Sequence, residues 1–361
     1  VIAGLQAVGA TADQASSGLL ALCLAVGVLS MVLTWWLRIP VSFAWSTPGA
    51  ALLVAAGGTT QNFGAAIGAF LVCAVLIVLC GLWPALGRAI TSIPRPIASA
   101  MLAGILFPIC LAPVNAAVQE PWLAIPVILT WLILFKVAPR WAVPAAMVVA
   151  AIGIGITAGA DWTGTVSIAP QLTFVMPEFE PAVIVSLGIP LFIVTMAGQN
   201  VPGFAVMSTF GYTIPPRSVL VSSGAASAGA ALFGGHVINL AAITAAIMAG
   251  PDSHPDARKR WVASFTAGVS YPILGLLAGV ATALVIASPA VLITAVAGLA
   301  VLGALIAALT AALEAPEHRI TAIATFLVTA SGIAVLGIGS AFWGLVVGGI
   351  FLLWLRPRPQ R

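Results

Sequence analysis

The sequence predicts an all-α polytopic membrane protein: fourteen transmembrane segments in two inverted seven-segment repeats, with short strand-plus-half-helix segments at positions three and ten. Three observations predict it. Of 361 residues, 61% are apolar and only 6% charged, against roughly 25% charged in an ordinary soluble domain. Uncharged stretches recur from end to end, many near the ~20 residues that cross the hydrocarbon core as a helix. All Lys and Arg fall in alternate connections between those stretches. A mean hydropathy of +1.18 agrees.

The first segment, near 1–11, begins at Val1 inside an apolar stretch and without a Met, so it reads as a truncated first span. No signal-peptide pattern of basic residues, apolar run and cleavage site is visible in the sequence. Segments two to seven lie near 18–37, 48–57, 63–86, 96–113, 121–138 and 141–159. Segments eight to fourteen lie near 182–203, 217–233, 239–250, 261–287, 290–313, 319–336 and 341–355.

Charge orients the spans. Arg38, Arg88, Arg95, Lys136, Arg140, Arg217, Arg258, Lys259, Arg260, Arg319, Arg356, Arg358 and Arg361 all fall on one side of this arrangement. The other side holds Asp13, Glu120, Asp161, Glu178 and Glu180 and no basic residue. By the positive-inside rule the first side, with the C-terminus, is cytoplasmic. Trp35, Trp36, Trp83, Trp122, Trp141, Trp162, Trp261 and Trp354 sit near span ends, as interfacial anchors do. Trp45 does not.

The same residues exclude several classes. The net charge of +4 is spread over many short loops, which does not suit nucleic acid. Cys23, Cys73, Cys80 and Cys110 lie within apolar stretches without metal-ligand spacing to a His, and read as packing residues. No metal motif, nucleotide-binding loop or hydrolase triad occurs, so neither an enzyme nor a cofactor is expected. The small residues from Ser222 to Gly229 read as a helix-contact face. The runs Asp252–Arg260 and Glu314–Arg319 read as solvated loops.

Segments three and ten are too short. Pro40 and Pro48 oppose a continuous helix through this region, and Val41 to Ser46 reads as an extended strand. Thr47-Pro48 reads as an N-cap followed by proline at the first helical position. The helix then ends within about ten residues at Gly57-Gly58, half a membrane long. Segment ten repeats the device: Gly234-Gly235, then His236 to Asn239, then Leu240 to Ala249 before Gly250-Pro251, with Asn239 a candidate N-cap. Matched, interrupted segments in inverted repeats point to a transporter's binding site. Two half-helix N-termini meeting near the midplane, each with free N–H groups and about half a unit of positive charge, would favour an anion.

Polar residues at that depth are candidates for the site. His236 is the only titratable side chain expected deep in the membrane, hence a candidate proton carrier; a neutral His bonded to a backbone carbonyl is its structural alternative. Gln199 and Asn200, between Gly198 and Pro202 on segment eight, would face a cavity or bond freed carbonyls. Ser42, Phe43, Trp45, Ser46 and Thr47 sit at the first half-helix mouth, where Phe43 and Trp45 could stack on an aromatic ligand, or pack and cap. With Asn239 these nine residues form the candidate substrate site.

Three stretches carry a family resemblance: Val41 to Leu53 (VSFAWSTPGAALL), Asn239 to Ile247 (NLAAITAAI) and Ala341 to Gly348 (AFWGLVVG). Through them the chain resembles the benzoate/proton symporters, the BenE-type transporters, over essentially its whole length. The resemblance implies import of benzoate or a related aromatic carboxylate by proton symport across a bacterial inner membrane. It implies the seven-plus-seven fold shared with nucleobase and sulfate-type transporters. In that fold 1–86 and 181–287 (segments 1–4 and 8–11) form a core domain. Residues 94–170 and 289–355 (segments 5–7 and 12–14) form a gate domain that often makes a homodimer. Nucleobase transporters of this fold place acidic residues on segments eight and ten, where this sequence has Gln199-Asn200 and His236 to Asn239. A symporter of another small solute such as a nucleobase, or an anion channel or uniporter, are the alternatives.

Overall fold

A computed structural model of the chain describes residues 1–83, 94–158, 169, 171–251, 253–287, 289–335 and 338–355. Arg88, Asp161, Trp162, Asp252, Arg356, Arg358, Arg361 and the predicted segment ends at 86, 159 and 336 lie outside the described residues.

The chain is mostly helical. A short α1 (Ile2–Ala7) precedes α2 (Ala12–Leu37), whose N-terminus is a capping box: Thr11 Oγ1 accepts from Gln14 N–H and Gln14 Oε1 from Thr11 N–H. Strand β1 (Phe43–Trp45) leads into α3 (Thr47–Ala55), then α4 (Phe63–Leu82), α5 (Arg95–Gln119), α6 (Pro121–Val137) and α7 (Pro139–Ala158). Helix α8 (Pro181–Thr209) is continuous but carries π-turns at Ile184–Gly188 and Met196–Asn200. Then come α9 (Pro216–Ala231), strand β2 (Ile238–Leu240), α10 (Ala242–Ala249), α11 (Trp261–Gly275), α12 (Ala278–Ala287), α13 (Ala290–Leu313) and α14 (Arg319–Ala330). A two-rung hairpin, β3 (Ala334–Val335) and β4 (Ile338–Gly339), precedes α15 (Ser340–Trp354).

Helices α2, α4, α5, α7, α8 and α13 are long and apolar enough to cross a membrane; the pair α11–α12, bent by 56°, makes a seventh if counted as one span. Large apolar side chains face outward, among them Trp36, Trp83, Trp122, Trp141 and Trp354. A soluble chain would bury them; a bilayer solvates them.

Two sets of helices pack together. Helix α2 lies along α11 and α9, α4 along α9, and α1 against α3. Separately, α5 lies along α13 and α14, α14 against α15, and α6 against α7. Helices α3 and α8 touch α5 and so join the sets. The extended segment 171–180 straps the first set. Thr173 N–H donates to Ser17 Oγ at 2.8 Å, Val175 N–H to Leu232 O at 2.9 Å, and Glu178 N–H to Gly64 O at 2.9 Å. Gly18 passes so close to the Gly234 carbonyl that a Cβ there has no room. Gly234 itself needs its left-handed φ of 90° to turn the chain into β2.

Candidate functional site

The two interrupted segments pair. β1 runs antiparallel to β2 with Phe43 opposite Leu240, Ala44 opposite Asn239 and Trp45 opposite Ile238. Backbone bonds extend the ladder one rung each way: Ser46 N–H to Val237 O at 2.8 Å and Ala241 N–H to Ser42 O at 2.9 Å. Each strand feeds a half-helix, so α3 and α10 begin at opposite ends of five rungs, about 13 Å apart by strand rise. The two N-termini therefore bracket the central rung, Ala44 and Asn239, rather than meeting at a single point as the sequence suggests.

The caps differ from the sequence reading. Ser46, not Thr47, is the N-cap of α3: its Oγ accepts from Gly49 N–H at 3.1 Å and lies 3.0 Å from Thr195 Oγ1 on α8. Thr47 is the first helical residue and is exposed. Ala241, not Asn239, is the N-cap of α10; Asn239 belongs to the ladder, because strand pairing with Ala44 outcompetes local capping.

Side chains finish the outer edge of β2. Asn200, in the second π-turn of α8, accepts from Leu240 N–H at 2.9 Å through Oδ1. Ser227 on α9 accepts from Ile238 N–H at 2.9 Å and donates to Ser223 O at 2.7 Å. A π-turn re-aims the side chains of a helix by one position; this one points Asn200 at the strand and sets Gly198 against Pro48. Gln199, beside them, is half-buried and has no side-chain partner among the described residues.

Two polar atoms are left over here. Asn239 Nδ2 donates to Leu240 O at 2.7 Å, while its buried Oδ1 has no partner among the described residues. His236 Nδ1 accepts from Val237 N–H at 2.8 Å, which places the ring hydrogen on Nε2, also buried and without a partner among the described residues. An unpaired buried polar atom costs roughly 1–3 kcal/mol, so both invite a ligand, water or further chain.

The remaining candidates pack. Ser42 Oγ lies 3.2 Å from Ser264 Oγ on α11. Phe43 is fully buried in an apolar cluster with Leu29, Met207 and Leu240, and is not free to stack on a ligand in this conformation. Trp45 is half-buried, edge-on to Tyr271 at 5.7 Å between ring centres. Thr195, Ser264 and Tyr271 escaped the sequence reading, which takes Ser227 only as part of a small-residue helix-contact face. Each is a polar residue in an apolar helix, a signal that marks burial but not its partner.

No group of three or more His, Cys, Asp or Glu side chains suited to a metal ion occurs among the described residues.

Residues 1–353 match the family model described as "Benzoate membrane transport protein". An inner membrane protein of Escherichia coli, YdcO, is 44% identical over 344 residues, covering 95% of this chain and 87% of its own. The benzoate membrane transport protein of Acinetobacter baylyi is 32% identical over 342 residues, covering 94% and 86%. Two solved structures share the fold at 14% identity. The transmembrane domain of the cyanobacterial bicarbonate transporter BicA gives a TM-score of 0.53 over 96% of this chain and 97% of that one. The murine anion transporter Slc26a9, in its inward-facing state, gives 0.55 over 98% and 68%. The chain belongs to the BenE family of benzoate membrane transport proteins.

Proposed function

We propose that the chain imports benzoate or a related aromatic carboxylate by proton symport, binding it over the central rung of the β1–β2 ladder. The observation that carries this reading is the bracket: two half-helix N-termini flank the central rung, and at the Ser46 end of the ladder the buried Nε2–H of His236 is a donor with no partner among the described residues. Helix N-termini present free N–H groups and partial positive charge to a carboxylate without a buried Lys or Arg. A net-neutral pocket of this kind suits a substrate that brings its own charge. The lack of any Asp or Glu on α8, β2 or α10 weighs against nucleobase recognition of the acidic type.

Helices α1–α4 and α8–α12 would move as the core against a gate of α5–α7 and α13–α15, in a fourteen-segment inverted repeat with the C-terminus cytoplasmic. The packing of the two helix sets supports that division. His236 is the proposed proton carrier. Its ring takes a second proton only when the bond that Nδ1 accepts from Val237 N–H breaks, which ties protonation to rearrangement of the strand. The exposed outer face of α6 and α7 is available for a homodimer.

Labelled benzoate uptake into proteoliposomes under an inward proton gradient tests the reading. Accumulation above the external concentration, abolished by an uncoupler, is expected. Uncoupler-insensitive equilibration would point to a uniporter or channel, and uracil outcompeting benzoate to a nucleobase carrier.

A further inference from the structure

A cavity of about 250 Å³ lies at the far end of α3 from the ladder, lined by Val54, Ala55, Asn115, Gln119, Val291 and Thr294. It belongs to both helix sets: Val54 and Ala55 end the half-helix, Asn115 and Gln119 come from α5, and Val291 and Thr294 from α13. The volume falls just under the roughly 300 Å³ at which sites for drug-sized ligands begin, so an occupant is small. Asn115 and Gln119 are exposed, and neither amide has a side-chain hydrogen bond among the described residues. Four residues apart on a helix, they share one face.

The backbone holds them there. Pro108 and Pro113 interrupt the hydrogen bonds of α5 just before Asn115. Opposite, Gly298 of α13 sits against the Ile109 carbonyl, with no room for a Cβ. The α5–α13 contact is therefore close beside the cavity, while the α3 side belongs to the other set and meets α5 there.

We propose that this cavity is an antechamber for the substrate, in which the Asn115 and Gln119 amide N–H groups hold a small carboxylate before it passes along α3. The inference rests on the aromatic carboxylate reading above. Helix α3 spans about 13 Å from the cavity to Ser46, and its dipole points the way: an anion is repelled at the C-terminal carbonyls by Ala55 and attracted at the N-terminus. The two amides offset that repulsion, so the anion pauses at the cavity and is driven onward.

Two experiments test this on the full chain. In the first, Asn115→Asp and Asn115→Lys are compared with the unaltered protein by the association rate of benzoate, followed through tryptophan fluorescence. Steering predicts opposite responses, association slowed by about five-fold with Asp and accelerated with Lys. A misfolded variant does not speed binding, so equal rates, or slowing by both charges, overturn the antechamber. In the second, Asn115→Cys, with the four native cysteines replaced, is exposed in intact cells to an anionic, membrane-impermeant thiol reagent. Modification slowed by benzoate is expected. No modification removes the antechamber, and modification indifferent to saturating benzoate removes its assignment to the substrate. If the unaltered protein binds no benzoate at all, the benzoate reading fails, and anionic-reagent modification then decides the cavity alone.

Discussion

Asn200 Oδ1 accepts the Leu240 N–H at 2.9 Å, so a π-turn of one helix supplies the hydrogen bond that would otherwise be missing from the outer edge of β2. Ser46 and Thr195, 3.0 Å apart, tie the other interrupted segment to the same helix. Helix α8 thus holds both half-helices in register. Replacing Asn200 with Leu leaves a buried N–H without a partner, at a cost of roughly 1–3 kcal/mol. Uptake should fall at least ten-fold while the protein still reaches the membrane, which uptake per amount of membrane-extracted protein measures.

Ser46→Ala removes the α3 cap and the contact to Thr195. A lost cap costs about 1 kcal/mol, so the thermal midpoint in detergent should drop and Ser46→Thr should restore most of it. Thr47→Pro, one residue on, should be tolerated for folding, since proline suits the first helical position. Comparing the three melting curves separates the capping residue from its neighbour.

Close approaches predict which glycines resist change. Gly18→Ala drives a Cβ into the Gly234 carbonyl and should displace the turn leading to β2. Gly229→Ala meets nothing within 4 Å among the described residues and should leave the protein unchanged. Expression and monodispersity after detergent extraction distinguish the two, with loss expected only for Gly18→Ala.

The distribution of Lys and Arg predicts a cytoplasmic C-terminus. A green fluorescent protein fused after Arg361 should fluoresce and an alkaline phosphatase fused there should be inactive. The reverse pattern would invert the whole arrangement.

Much of the fold is legible because membrane helices are written in long apolar runs with punctuating Pro, Gly and charge. The half-helices are legible for the same reason, since Pro48, Gly57-Gly58 and Gly250-Pro251 leave too few residues for a span. The site is less so. The β1–β2 ladder joins residues about two hundred positions apart, and nothing near Asn239 announces that pairing will take it from the cap. Ser46 and Thr47 are both good caps by type, and only the backbone decides between them. Phe43 is apolar and aromatic whether it binds a ligand or fills a core, and here it fills the core. Asn200 carries a signal in its cost, since an amide in an apolar helix must be satisfied; its partner, a strand N–H forty residues on, does not show in the sequence.

The most direct test of the central claim is calorimetric titration of benzoate into the purified protein and into Asn239→Leu, which places an apolar side chain on the central rung. The unaltered protein should bind and Asn239→Leu should lose binding by at least ten-fold, with its melting behaviour retained. Benzoate binding of equal strength in both would contradict a site over the ladder.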